Sequence, residues 1–402
     1  MTPEIKRRIE QLRRSSIPEG YKKTKAGILP ADWDVYMLGD CLSRVERLVE
    51  VKPNELYTQI GIRSHGKGLF YKEPVTGAAL GNKAVFWIEP DCFIVNIVFA
   101  WEQAIGKTTQ SEVGMIGSYR FPMYRPVNDR VDIDYLISYF LTKRGTDILE
   151  AASPGGAGRN KTLGQDRFLK SKIVLPPIAE QRKIAAILTT QDRVIELKEE
   201  RLAEKQRQKK YLMQQLLTGK KRLPGFAFEV EKTNIKAIST YSVSTISQTM
   251  LESYEGKQLY PVFNANSIAG HVDFYENEYP YISIIKDGAG IGRVRLCEAK
   301  SSTIGTMGCI HARKGISIIF LYYLLEQVDF NKYSNGSTIP HLYYKDYSCE
   351  KVRIPDIKEQ AAIAEVLSTA DREIELLQQD IEQEKQKKKA LMQLLLTGIV
   401  RV

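Results

Sequence analysis

Cations beside glycine turns are the groups in this chain whose types and spacing best suit chemistry. Gly288-Ala289-Gly290-Ile291-Gly292 lies between Lys286 on one side and Arg293 and Arg295 on the other. Backbone amides exposed by such a loop, next to three positive charges, suit a sugar–phosphate backbone. The run also has the look of a dinucleotide fingerprint, but the third glycine of that pattern falls on Arg293, so a plain tight β-turn is the competing reading. A second loop, 153–162, holds Pro154, Gly155, Gly156 and Gly158 beside Arg159, Asn160 and Lys161. A third, 335–341, holds Gly336, Ser337, Thr338 and His341 at the corresponding place in the second half. Arg159, Asn160, Lys161, Lys286, Arg293, Arg295, Ser337, Thr338 and His341 are therefore the candidate nucleic-acid contacts. Most of the aromatic residues are expected in cores, with Tyr343 and Tyr344 placed to meet bases or sugars.

Other chemistries find little support. Gly106-Lys107-Thr108 ends like a phosphate-binding loop, but Trp101 stands where that loop needs its first glycine. His65, His271, His311 and His341 are scattered, and Cys309 and His311 lack a second ligand pair at zinc spacing. No nucleophile elbow appears, nor a carboxylate–carboxylate–lysine nuclease pattern, nor a methyltransferase cofactor loop. The sequence predicts no metal, no cofactor and no catalytic residue in this chain.

The positions of these loops follow from a duplication. Residues 175–223 and 354–402 align without a gap at a constant offset of 179, with 23 of 49 positions identical. Each copy opens with a proline (Pro176, Pro355), an isoleucine (Ile178, Ile357) and a Glu-Gln pair (Glu180-Gln181, Glu359-Gln360), and closes on Leu-Met-Gln, two leucines and Thr-Gly. Repeats are read before other features because they dictate architecture. The spacing is too wide for a solenoid and makes the chain two half-molecules in tandem, each a globular block followed by a long helix. With 402 residues, each block can bury its own core. The expected division is 1–30 (a basic helical segment), 31–175 (first block), 176–222 (first helix), 223–353 (second block) and 354–402 (second helix). In the first block, 84–88 and 92–100 read as a hairpin about Glu89-Pro90-Asp91, and 135–149 as a helix. In the second, 281–285 and 293–296 read as strands flanking the glycine loop, and 318–325 as a helix.

In the second helix Ile363, Leu367, Ala370, Ile374, Leu377 and Ile381 step by alternating fours and threes, a heptad seam that resumes at Leu391 and Leu395. In the first, Ile184, Leu188, Ile195 and Leu202 keep the same seam, interrupted by Gln191 and Lys198, and it resumes at Leu212 and Leu216. A rod of about 40 residues, roughly 60 Å, with one apolar stripe needs a partner. Its own duplicate is the nearest, and two-fold copies would run antiparallel.

The net charge of +10 is uneven: 1–30 holds 8 basic and 3 acidic residues, and 176–222 holds 12 and 6. That balance suits a polyanion partner or a solvated helical face. The longest apolar runs fall far short of a membrane span, and the charged N-terminus lacks the apolar stretch of a signal peptide. Five scattered cysteines without a CxxC pair fit a reducing cytoplasm.

The Pro-x-Ile-x-Glu-Gln openings, the Asp-Arg-x-Ile-Glu-Leu centres (192–197 and 371–376) and the Leu-Met-Gln to Thr-Gly ends resemble the repeated regions of specificity subunits from Type I restriction–modification systems. The stretch Gly27-Ile28-Leu29-Pro30-Ala31-Asp32-Trp33 is similar to that family's lead-in to a first target-recognition domain, and 336–341 to part of its second. The resemblance spans essentially the whole chain, while 155–161 follows its counterpart only loosely. It implies a mixed α+β fold, with two target-recognition domains joined by two long antiparallel coiled-coil helices in a pseudo-two-fold, quasi-circular molecule. It also implies a non-catalytic subunit that reads two halves of a double-stranded DNA target and docks two methyltransferase subunits and, through them, restriction subunits. S-adenosylmethionine, ATP and Mg2+ would then sit on those partners. Two readings compete: a self-contained nucleic-acid-modifying enzyme, and a coiled-coil scaffold without DNA contact.

Overall fold

A computed structural model describes residues 3–25, 27–81, 84–155, 161–226, 231–288, 290–336 and 339–402. The chain forms two compact units, Met1–Leu197 with Ile381–Val402, and Lys198–Asp380. Both divisions fall inside the long helices, which run unbroken over Ile178–Leu216 and Ile357–Leu395, 39 residues each.

In the first unit, an antiparallel four-stranded sheet runs in the order Ile105–Lys107, Phe93–Val95, Met123–Pro126 and Leu42–Val45. Phe93, Tyr124, Phe140 and Phe168 pack at its centre with ring centroids 5.5–6.5 Å apart. The block's incoming strand Asp34–Met37 pairs antiparallel with its outgoing strand Lys172–Leu175, so the chain leaves beside the point where it arrived. Two local expectations are corrected. Val85–Trp87 pairs with Ile116–Ser118, and Phe93–Val95 pairs with Ile105–Lys107, so 84–100 is not a hairpin. Its side chains supply three different cores, Val85 joining Val49 and Tyr57, Ile94 joining Ile60 and Met123, and Phe93 and Val95 joining Tyr124 and Phe140, and burial overrides the local turn signal. The helix expected over 135–149 is two, Ile133–Phe140 and Lys143–Ala151, because the Thr142 hydroxyl accepts from the Gly145 amide and starts a new N-terminus.

The second unit follows the same plan. Its antiparallel sheet runs Ser239–Val243, Met307–Ala312, Tyr281–Ile285 and Val294–Cys297. The last two strands are the expected hairpin about the glycine loop. Incoming Glu231–Asn234 pairs with outgoing Lys351–Ile354, and the helix Ile318–Glu326 covers the sheet with Phe320, Leu321 and Leu325 fully buried.

Within each unit one long helix runs antiparallel to a length of the other. In the first unit Ile184 and Leu188 share a core with Leu395 and Leu396, Gln191 donates to Glu384 (2.7 Å), and Asp192 pairs with Lys388 (2.5 Å). In the second, Leu216 shares a core with Ile363 and Leu367, while Lys209 pairs with Asp371, Lys205 with Glu373 and Lys198 with Asp380 at 2.6–2.8 Å. The polar residues that interrupt the seam are thus answered by the facing helix. Ile195 and Ile381 are buried, and Leu202, Leu212, Ile374, Leu377 and Leu391 are half-buried.

Both helices end on Thr-Gly in the same way. Gly219 and Gly398 take φ of +69° and +72°; their amides bond the Leu216 and Leu395 carbonyls, and backbone bonds from Lys221 to Gln215 and from Val400 to Leu394 fold the chain back over each helix end. The N-terminal helix Pro3–Arg13 belongs to the first unit, where Arg8 donates to the Ile399 carbonyl (2.7 Å) and Tyr21 to that of Gly398 (2.6 Å).

Candidate nucleic-acid interface and its foot

The glycine loop of the second unit turns on Gly288, Gly290 and Gly292, all with φ between +80° and +86°. It is tied to the 335–341 loop by the Gly288 amide on the Pro340 carbonyl (3.0 Å) and by Leu342 N on Lys286 O (2.8 Å). Asp287 joins the two loops through their side chains, its carboxylate meeting Lys286 Nζ at 2.6 Å and His341 Nδ1 at 2.7 Å. Burial pushes the Asp287 carboxyl up, but the bonds from Lys286 and His341 outweigh it and hold the group below the usual carboxylate range. With Nδ1 committed to Asp287, the ring orientation of His341 is fixed and its other nitrogen is left for a second partner. Tyr343 stacks on His341 at 6.4 Å, with Lys345 Nζ 5.6 Å from the Tyr343 ring. Tyr344 instead stacks on Tyr241 at 4.8 Å and hydrogen-bonds Ser239, a packing role.

Arg293 and Arg295 lie on the far arm of the same hairpin. Arg293 donates to the Ala265 carbonyl and the Asn266 side chain (2.6 and 2.8 Å), and Arg295 to the Asn266 carbonyl (3.1 Å). With Asn264 and Ser283 they line a cleft of about 220 Å³. The structure therefore gathers Lys286, His341, Arg293 and Arg295 about one hairpin. In the first unit, Lys161 Nζ sits 5.3 Å from the Trp101 ring. Arg159, Asn160, Ser337 and Thr338 lie outside the described residues. Gly106-Lys107-Thr108 forms a strand end in which Lys107 pairs with Asp134 (2.7 Å) and Thr108 is buried, so no phosphate loop exists there. Among the described residues no three His, Cys, Asp or Glu side chains converge as metal ligands, and no helix is long and apolar enough to cross a membrane.

The repeated Glu-Gln pairs form the foot on which each block stands. Gln181, fully buried, donates from Nε2 to the carbonyls of Pro176 and Arg130 (both 2.9 Å) and accepts at Oε1 from the Asp132 amide (3.0 Å). Gln360 repeats this with Pro355 O (2.9 Å), Gly315 O (3.2 Å) and Ser317 N (2.9 Å). Asp132 and Ser317 are the N-caps of the helices Ile133–Phe140 and Ile318–Glu326. The neighbouring glutamates are held by arginines. Arg401 makes a two-pronged bond to Glu180 (2.6 and 2.8 Å), which also accepts from Trp33 Nε1 (3.1 Å), and Arg222 makes the same bond to Glu359. Arg401 further reaches Asp32 at 2.7 Å. The hydrogen bond that Arg401 donates to Glu180, ahead of the opposing burial, raises the Arg401 pKa, and the bond from Arg401 holds the Asp32 carboxyl below its usual range. Sequence reading missed both arginines and Asp287. The arginines left one signal: positions 222 and 401 match at the repeat offset although the residues on either side of them differ. Asp287 left none.

Two sheet-built blocks, each footed on a copy of one helix and one of them presenting cations about a glycine hairpin, have the architecture of a nucleic-acid-recognition subunit. The family model described as the Type I restriction modification DNA specificity domain matches residues 85–206 and 228–386. The chain belongs to that family and is a Type I restriction–modification DNA specificity subunit. The MjaVIII specificity subunit of Methanocaldococcus jannaschii is 24% identical to it over 433 residues, 96% of each chain. The S subunit structure from M. genitalium matches with a TM-score of 0.61 at 15% identity, covering 90% of this chain and 96% of that one. A structure from a study of type I R-M complex assembly matches at 0.58 and 17%, covering 92% and 99%. These two share its mixed α+β fold.

Proposed function

We propose that each block is a target-recognition domain reading one half of a bipartite double-stranded DNA site. The paired spacer helices set the gap between the halves and dock two methyltransferase subunits. The observation that carries this reading is the doubled foot: two blocks of different sequence stand on the same strand pair, buried glutamine and Glu–Arg bond. Equal mounts under unequal blocks suit a device in which the reading surfaces differ and the geometry is shared. Lys286, Arg293, Arg295 and His341, with Ser337 and Thr338, would face one half-site, and Arg159, Asn160 and Lys161 the other. Phosphate contacts would hold register and base edges would give specificity.

Leu197 and Leu376, at matching repeat positions, stay 47% and 59% exposed, which gives two equal partners an apolar point on each helix. The chain itself would catalyse nothing. S-adenosylmethionine would come with the methyltransferases, and ATP and Mg2+ with restriction subunits, in the cytoplasm.

The test is a map of methylated adenines in a genome carrying this system. The expected result is a split motif with a fixed unspecified gap, and a single uninterrupted motif overturns the proposal. Methylation by the purified chain alone would mark it as an enzyme instead. Absence of salt-dependent duplex binding by the assembled complex would mark a scaffold.

A further inference from the structure

We propose that Gln181 and Gln360 are positioning residues that fix the tilt of each block on its spacer helix, and through it the number of base pairs tolerated between the half-sites. The inference rests on the bipartite reading above and adds the residues that set its precision.

Each carboxamide joins three elements. It binds the carbonyl just past the outgoing strand (Pro176, Pro355), it sits in the first turn of the spacer helix, and it pairs with a carbonyl and an amide two residues apart at the start of the block's main helix. A planar amide with three committed bonds fixes direction as well as distance, because its donors and acceptor lie in one plane. Both side chains are at most 1% exposed, so water does not compete for these bonds. The groups they grip are main-chain atoms. Arg130-Val131-Asp132 and Gly315-Ile316-Ser317 share no residue, yet they present the same carbonyl and amide to the same glutamine.

A small loss of direction at this point is magnified outward. A block of this size has a radius of gyration of about 14 Å, so its far surface lies roughly 30 Å from its foot. A tilt of about 7° carries that surface through roughly 3.5 Å, close to the ~3.4 Å rise of one base pair.

The test uses the subunit assembled with its methyltransferase partners and duplexes whose gap is native, one base pair shorter or one longer. Gln181→Leu and Gln360→Leu keep volume and remove the three bonds. The expected result is a rise of roughly tenfold in the ratio of off-gap to native-gap methylation, the change that loss of one buried anchor of this strength implies, with the half-site bases unchanged. An unchanged ratio with a uniform loss of rate overturns the inference, as does a change in the bases read. If a leucine variant fails to assemble, Gln181→Glu carries the same comparison: it keeps the acceptor for Asp132 N and sets an acceptor against the two carbonyls, and an unchanged ratio there also overturns it. If the unaltered complex marks a continuous site, the bipartite reading itself fails, whatever the glutamines do.

Discussion

Gly398 and Gly219 occupy equal places in the repeat and unequal surroundings. An ideal Cβ on Gly398 would meet Pro30 Cγ at 2.6 Å, whereas on Gly219 the nearest atom is 3.8 Å away. Both backbones are left-handed, which costs an L-residue about 1–2 kcal/mol. Gly219→Ala should therefore lose about that much, and Gly398→Ala more, since Pro30 must also move. The chain's three tryptophans, Trp33, Trp87 and Trp101, all fall in the first unit. Tryptophan fluorescence should thus detect the Gly398 variant and pass over the Gly219 one, which a circular-dichroism melt should reveal. At this scale the sequence was legible where residues recur. The Thr-Gly ends and the Glu-Gln pairs stand out as motifs, but nothing in their spacing says that a glutamine will grip main-chain atoms 43–51 residues away. The bases to be read are not legible at all, since they depend on where side chains about the glycine hairpin meet a groove.

At the scale of elements, the Glu–Arg bonds tie the start of one spacer helix to the residues just after the other. Removing Arg401 leaves Glu180, 5% exposed, without its two-pronged partner. Arg401 itself keeps a third of its side-chain surface, so the loss for Arg401→Met is about 2–3 kcal/mol, below that of a fully buried pair. A double-mutant cycle with Glu180→Gln should return a coupling of at least about 1 kcal/mol in the fluorescence transition, and Arg222→Met should leave that transition in place. The acid limb should respond too. A depressed Asp32 pKa contributes stability above the ordinary carboxylate range, and that stability is lost as pH falls through the depressed value. Without Arg401, acid unfolding of the first unit should begin at higher pH. Helices and their seams were the most legible elements, because periodicity over 39 residues leaves little ambiguity. The pairing of 84–100 was not, because three separate cores compete for neighbouring side chains and local turn chemistry cannot arbitrate among them.

For the molecule as a whole, the 179-residue offset makes the duplication and the antiparallel pairing legible in the sequence. The division into units was less visible, since both cuts fall within helices that look uniform along their length. Those cuts suggest a measurement. One helical turn inserted in each spacer helix, after Leu197 and after Asp380, adds about 6 Å. The unspecified gap should then lengthen by one or two base pairs of ~3.4 Å while the methylated bases stay the same, as read by methylation mapping. The first unit also takes its closing leucines, Leu395 and Leu396, and its Arg401 from beyond the entire second unit. A ribosome must therefore make about 180 further residues, on the order of 10–35 s of translation, before the earlier-made unit can seal its core. The half synthesised first is the half finished last, and through that interval its unsealed apolar face is a natural client for chaperones.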